Sequence, residues 1–175
     1  MSKSRKPINF SRREGTIIAI DPDIDKNGVA TISRSKRTCR VDSLTFPEVL
    51  EYIKNASVNE EKPLTVIVEA GWLNHGNWHV TESPNGRCSP TAWAAAIGKK
   101  DGQCAAVSQK LLECFEYYKF PAIPRRPLKK CWKGRDRKIT HEELVQEMET
   151  YRVIFPYKRT NQEERDSALL ALVEL

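Results

Sequence analysis

Apolar residues along the chain fall into two patterns: short continuous runs bounded by acids or turn residues, and stripes that recur every three or four positions. The run Thr16-Ile-Ile-Ala-Ile20 is β-branched throughout, which predicts a strand covered on both faces, and it stops at Asp21-Pro22. Val29 to Ser33 follows an Asn27-Gly28 turn signal, so the two runs are expected to form a hairpin. A third strand is expected around Cys39 to Phe46, then a short helix in which Val49, Leu50 and Ile53 share a face and Pro47 suits the first turn. Leu64 to Glu69 reads as a second buried strand, ending on an acid before Ala70-Gly71.

From Trp72 to Pro90 the chain turns polar and loop-like. Between Thr91 and Tyr118 the spacing of Cys104, Val107, Leu111, Cys114 or Phe115, and Tyr118 predicts the longest helix. A short strand near Pro121 to Ile123 leads into a basic stretch from Arg125 to Lys138. Thr140-x-x-Glu143 and Thr160-x-x-Glu163 each have the form of a capping box, opening helices near Glu142 and Gln162. Three strands, helix, strand, long helix, strand and helices predict an α/β domain with a mixed five-stranded sheet flanked by helices, spanning 16–175. The opening segment, 1–15, is basic and without periodicity, and is expected to be a flexible arm.

A chain of 175 residues buries about 70% of its unfolded surface, enough for one core without staples. Lys and Arg outnumber Asp and Glu by 29 to 23, a formal charge of +6 that suits a polyanionic partner. Cys39, Cys88, Cys104, Cys114 and Cys131 form an odd set without a CxxC pair, and the N-terminus has no signal-peptide core. Reduced thiols in a cytoplasmic protein are expected. No apolar run approaches the roughly 20 residues that span a bilayer, so no membrane role is expected.

The candidate chemistry lies in the acids. Two buried-strand patterns end in one, Asp21 and Glu69, and Asp166 continues the stripe Leu169, Leu170, Val173 that faces the core from the last helix. A carboxylate on an inward stripe is costly to desolvate unless paired or bound to metal. Glu163 lies one turn before Asp166 and has two readings, a fourth ligand or only the acid of its capping box. Four acids gathered together repel strongly. Magnesium answers this, since it takes oxygen ligands, keeps waters and binds substrate phosphate. Two such ions about 3.5–4 Å apart hydrolyse phosphodiesters.

At these residues the chain resembles the RuvC-type Holliday junction resolvases of the ribonuclease H-like superfamily. IAIDPDIDKNG is similar to their first-strand motif, VIVEAGW to their second acidic strand and ERDSALLAL to their final catalytic helix. PLKKCWKGRDRKITHEEL followed by RTNQEERDSALLA is similar to phage and prophage proteins classed as resolvase-like. The resemblance implies a ribonuclease H-like nuclease domain, a homodimer acting on branched DNA, and catalytic, metal-binding Asp21, Glu69 and Asp166. Glu163 takes the place three before the last acid, where the family usually has Asp or His. Two Mg2+ ions are implied, with Mn2+ able to substitute. The family carries glycine two residues after the first aspartate, where this chain has Asp23.

Trp72, three residues past Glu69, either stacks on an unpaired base or packs beneath the following loop. Lys129, Lys130, Lys133, Arg135 and Lys138 are the expected DNA contacts of the basic stretch, beside Trp132. His75 and His79, with Trp78 nearby, are read as loop residues facing the DNA backbone, and a zinc site made with Cys88 has little support. Asp23-x-Asp25-x-Asn27-Gly28 imitates half a calcium loop, but its twelfth position is Arg34. No glycine-rich nucleotide loop is present, so no nucleotide cofactor is expected. Two other readings stay open: a nuclease for RNA/DNA hybrids, and a non-catalytic nucleic-acid-binding protein of the same fold.

Overall fold

Ile17, Ile18, Ala19 and Ile20 are all fully buried, because the strand that carries them is sandwiched between helices on both faces. A computed structural model describes residues 14–74 and 89–175; most of the expected basic arm, and His75, Trp78, His79 and Cys88, lie outside the described residues. The elements are β1 (Thr16–Asp21), β2 (Asn27–Ser33), β3 (Thr38–Leu44), α1 (Phe46–Asn59), β4 (Leu64–Glu69), α2 (Pro90–Tyr117), β5 (Ala122–Arg125), α3 (His141–Thr150) and α4 (Gln162–Val173). Single 3-10 turns cover Gly71–Leu73 and Arg135–Arg137.

The five strands form one mixed sheet in the order β3-β2-β1-β4-β5, with β2 antiparallel to β1 and β3, and β4 parallel to both β1 and β5. This is the expected fold class. Alternation divides the side chains of β1 between two cores. Ile17 and Ala19 join Ile67 of β4 beneath α3 and α4, whereas Ile18 and Ile20 join Val66 and Val68 beneath α1 and α2. Burying each large aliphatic side chain contributes about 1.5–3 kcal/mol, so this double-sided strand anchors the fold. Among the described residues no helix is long and apolar enough to cross a membrane.

Several expectations need correction. Asn27 and Gly28 do not form the hairpin turn; they are the first residues of β2, with Gly28 opposite Asp21, and the connection is residues 22–26. Phe46 opens α1 instead of ending β3, since Thr45 caps that helix through its N–H to the Glu48 carboxylate at 2.7 Å. Tyr118 is 56% exposed because the chain leaves α2 there, and Val173 is 49% exposed because α4 presses Ala171 and Leu172 into the core instead.

Candidate active site

The alternation that sorts the core also aims the strand acids. Asp21 follows Ile17 and Ala19, and Glu69 follows Ile67, so both carboxylates leave the sheet on the face covered by α4. Because β1 and β4 are parallel and Ile20 lies opposite Val68, the two acids end neighbouring strands at the same edge. Carboxyl ends of adjacent parallel strands are the usual place for ligands in α/β sheets.

Asp166 reaches the same place from α4. The N-cap of that helix is Asn161, not Thr160: Asn161 Oδ1 accepts from Glu164 N at 2.8 Å, and the Glu164 carboxylate accepts from Asn161 N at 2.9 Å. The sequence-expected box is therefore displaced by one residue, and Glu163 is released from capping. A Cβ on Gly28 would overlap the backbone of Glu163, so only glycine lets the first turn of α4 lie so close to β2. Gln162 Nε2 donates to Asp166 Oδ1 at 2.7 Å, and Lys138 Nζ stands 3.2 Å from Asp166 Oδ2. Arg165 in turn donates through Nη2 to Gln162 Oε1 at 2.8 Å, through Nε to the Ile139 carbonyl at 3.0 Å, and through Nη1 to the Thr160 carbonyl. Gln162 and Arg165 were not singled out by sequence; their only signal was a polar side chain beside a stripe acid.

At the two strand acids, burial and neighbouring carboxylates outweigh the pull of the nearby lysines. Burial first, and then the charges of Glu69, Asp166 and Glu163, raise the Asp21 carboxyl well above the usual range, against an opposing pull from Lys138. Glu69 is pushed up to about 7 by burial and then by Asp166, while Lys130 and Lys138 pull it down. Burial disfavours the charge on Lys138, yet Asp166, Asp21 and Glu163 outweigh it and raise its pKa. Titratable groups displaced by burial and specific charged neighbours in a cleft are a feature of functional sites.

A cleft of about 100 Å³ opens over these groups, lined by Asp21, Glu69, Asp166, Lys129, Lys130, Lys138 and Trp132, with apolar walls from Leu128, Ile139 and Leu169. The structure thus brings together three of the four candidate acids and three of the candidate basic residues. Glu163 lines a neighbouring acidic hollow with Asp23, Asp25 and Ser43, although its charge still acts on Asp21 and Lys138. Trp72 sits half-buried in the turn after β4, outside the residues that line the cleft. Lys133 and Arg135 are exposed and likewise outside it. Asp23 faces α2, 3.9 Å from Lys100 Nζ.

Every donor of the cluster is a carboxylate oxygen, the ligand type that hard divalent cations select. Among the described residues no three His, Cys, Asp or Glu side chains are already drawn into a metal-holding group. Asp166 is engaged with Lys138 and Gln162 instead.

No protein-family model matches the chain, and no curated protein matches it. Among solved structures, it is similar to T. thermophilus RuvC in complex with Holliday junction substrate, at 14% identity over 90% of each chain and a TM-score of 0.50. The likeness is one of fold. A second structure, of Thermus thermophilus RuvC, aligns over 90% of this chain and 91% of its own at 14% identity and a TM-score of 0.47.

Proposed function

We propose that the chain is a metal-dependent endodeoxyribonuclease that hydrolyses phosphodiesters in branched DNA, with Asp21, Glu69 and Asp166 as its metal ligands. One observation carries the reading: acids from two strand ends and a helix meet in one cleft where Asp21 and Glu69 are raised by burial and mutual repulsion. Such a cluster is costly to keep unless a cation binds it. The donors fit Mg2+, with Mn2+ as a substitute, and Glu163 is a fourth candidate through its charge on Asp21. Two bound ions would supply activation of a water and stabilisation of the leaving oxygen.

The chain's own groups do the rest. Lys129 and Lys130 on the cleft wall neutralise the phosphates that flank the cut. Gln162, held by Arg165, fixes the orientation of Asp166. Trp72, three residues past Glu69 and half-buried, stacks on an unpaired base, which a branch point offers and a continuous linear duplex does not. Paired nicks need two sites, which favours a homodimer; Gly98 and Gly102 on α2, open to solvent, allow a close helix approach. The fold shared with a protein bound to a Holliday junction substrate supports branched DNA over other polyanions.

The test is a labelled four-way junction, an RNA/DNA hybrid and a linear duplex offered side by side with Mg2+. Cleavage of the junction alone is expected. Preferential cleavage of the hybrid would move the activity to the ribonuclease H type, and tight binding without cleavage would leave a binding protein.

A further inference from the structure

The ion pair between Lys138 and Asp166 rests on more than proximity. Lys138 ends a tight loop in which Gly134 N donates to the Lys138 carbonyl at 3.0 Å, Trp132 N to the Arg137 carbonyl at 3.1 Å, and Lys138 N to the Arg135 carbonyl at 3.1 Å. A Cβ on Gly134 would overlap that Lys138 carbonyl. Asp136 and Arg137 both adopt left-handed backbone, at φ 55° and 58°, which L residues take up only when the surroundings hold them there. Glu143 of α3 clamps the other arm, accepting from Lys133 N at 3.1 and 3.2 Å, and Ile139 plugs into the core at 1% exposure. The loop therefore delivers one ammonium to the carboxylates while leaving Lys133 and Arg135 in solvent. At the contact the two side chains are only 34% and 22% exposed.

We propose that the Lys138 ammonium is the resident counter-cation of the carboxylate cluster, holding Asp166 in the metal-free protein and leaving it when a divalent cation binds. The inference rests on the metal-binding reading given above and adds what occupies the site beforehand. An ammonium is a compact charge on a flexible four-carbon stem, so it can withdraw without moving the loop. A divalent ion would bring twice the charge to the carboxylate oxygens, and a second cation on the same oxygen would oppose it by like-charge repulsion. Ammonium and metal are thus competing ligands of Asp166. By linkage, whatever Lys138 adds to the metal-free state it takes from metal affinity. During exchange Gln162, itself held by Arg165, keeps Asp166 Oδ1 in place. Lys138 lines the same cleft as Lys129 and Lys130.

The experiment is an Mn2+ titration of the metal-free protein at pH 8, with free Mn2+ read by electron paramagnetic resonance and thermal unfolding in EDTA measured alongside. Lys138→Met and Lys138→Gln should both bind Mn2+ roughly tenfold more tightly than the wild type, within the range typical of coupled sites. Both should melt at lower temperature in EDTA, and Mn2+ should raise their Tm more than it raises the wild type's. Should Lys138→Met fail to fold without metal, Mn2+ is expected to restore it, and Lys138→Gln carries the affinity comparison. Equal or weaker Mn2+ binding in the folded variants, or failure of both to fold even with Mn2+, overturns the exchange. Asp166→Asn separates the two levels. If it binds Mn2+ as the wild type does, the metal site itself is wrong; if it loses binding while the Lys138 variants match the wild type, only the exchange is wrong.

Discussion

Gly28 lies against the backbone of Glu163 and, across the hairpin, opposite Asp21. One residue without a side chain thus sets the approach of β2, the hairpin partner of the strand ending in Asp21, to the helix that carries Asp166. Its role is room and not backbone freedom.

Replacing that glycine should therefore damage the site through the fold. In Gly28→Ala the added methyl meets backbone atoms that no rotamer change can move, so α4 must shift away from β2. Overpacking of this kind costs about 1–3 kcal/mol. A lower Tm together with a larger proportional loss of cleavage is expected. Gly71→Ala, where a Cβ would meet nothing within 4 Å, should change stability by less than about 0.5 kcal/mol. Equal Tm values for the two variants would contradict the close approach.

The raised carboxyl of Glu69 makes a pH-dependent contribution of known sign. A carboxylate whose folded pKa lies above its ordinary value supports the fold fully at low pH and loses that support as pH rises through the folded value, here about 7. Glu69→Gln removes the titration. In EDTA the variant should gain stability relative to the wild type between pH 5 and pH 8, by up to about 3 kcal/mol. Urea unfolding at the two pH values measures this, and a pH-independent difference would show that the Glu69 carboxyl is not raised by burial and Asp166.

The cleft sorts the basic stretch into two groups. Lys129 and Lys130 line it, and Lys133 and Arg135 do not. Lys129→Ala and Lys130→Ala should each flatten the salt dependence of junction binding by about 0.9 per lost phosphate contact. Lys133→Ala and Arg135→Ala should change it less. If all four behave alike, the whole stretch acts as a diffuse positive surface and the cleft does not orient the DNA.

Much of this arrangement was legible in the sequence because it depends on local pattern. Continuous apolar runs ending in Asp21 and Glu69 identified strands covered on both faces, and the parallel register of β1 with β4 then puts both acids on one side of the sheet. The displaced helix cap was not legible, since Thr160 and Asn161 are both good N-caps and each has glutamate three residues on. Contacts from elsewhere decide it. Thr160 Oγ1 is engaged by His141 Nδ1 at 2.9 Å, while Asn161 Nδ2 donates to Ser43 Oγ at 2.6 Å and Ser43 Oγ to Glu164 at 3.2 Å. Asn27-Gly28 misled for a similar reason: the pair has turn chemistry, but its glycine is used for space against α4. Lys138 was legible as one basic residue among many, and its pairing with Asp166 depends on a loop closure that spacing does not encode.

Asp166 gives the most direct test of the account. Asp166→Asn keeps an oxygen to accept from Gln162 and fits the same space, so folding and junction binding should survive. The decisive measurement is single-turnover cleavage of an end-labelled four-way junction by the wild type and by Asp166→Asn, each with Mg2+ and with EDTA. Cleavage only by the wild type and only with Mg2+ is the expected result. Undiminished cleavage by Asp166→Asn, or cleavage by the wild type in EDTA, would contradict a carboxylate-held metal as the source of activity.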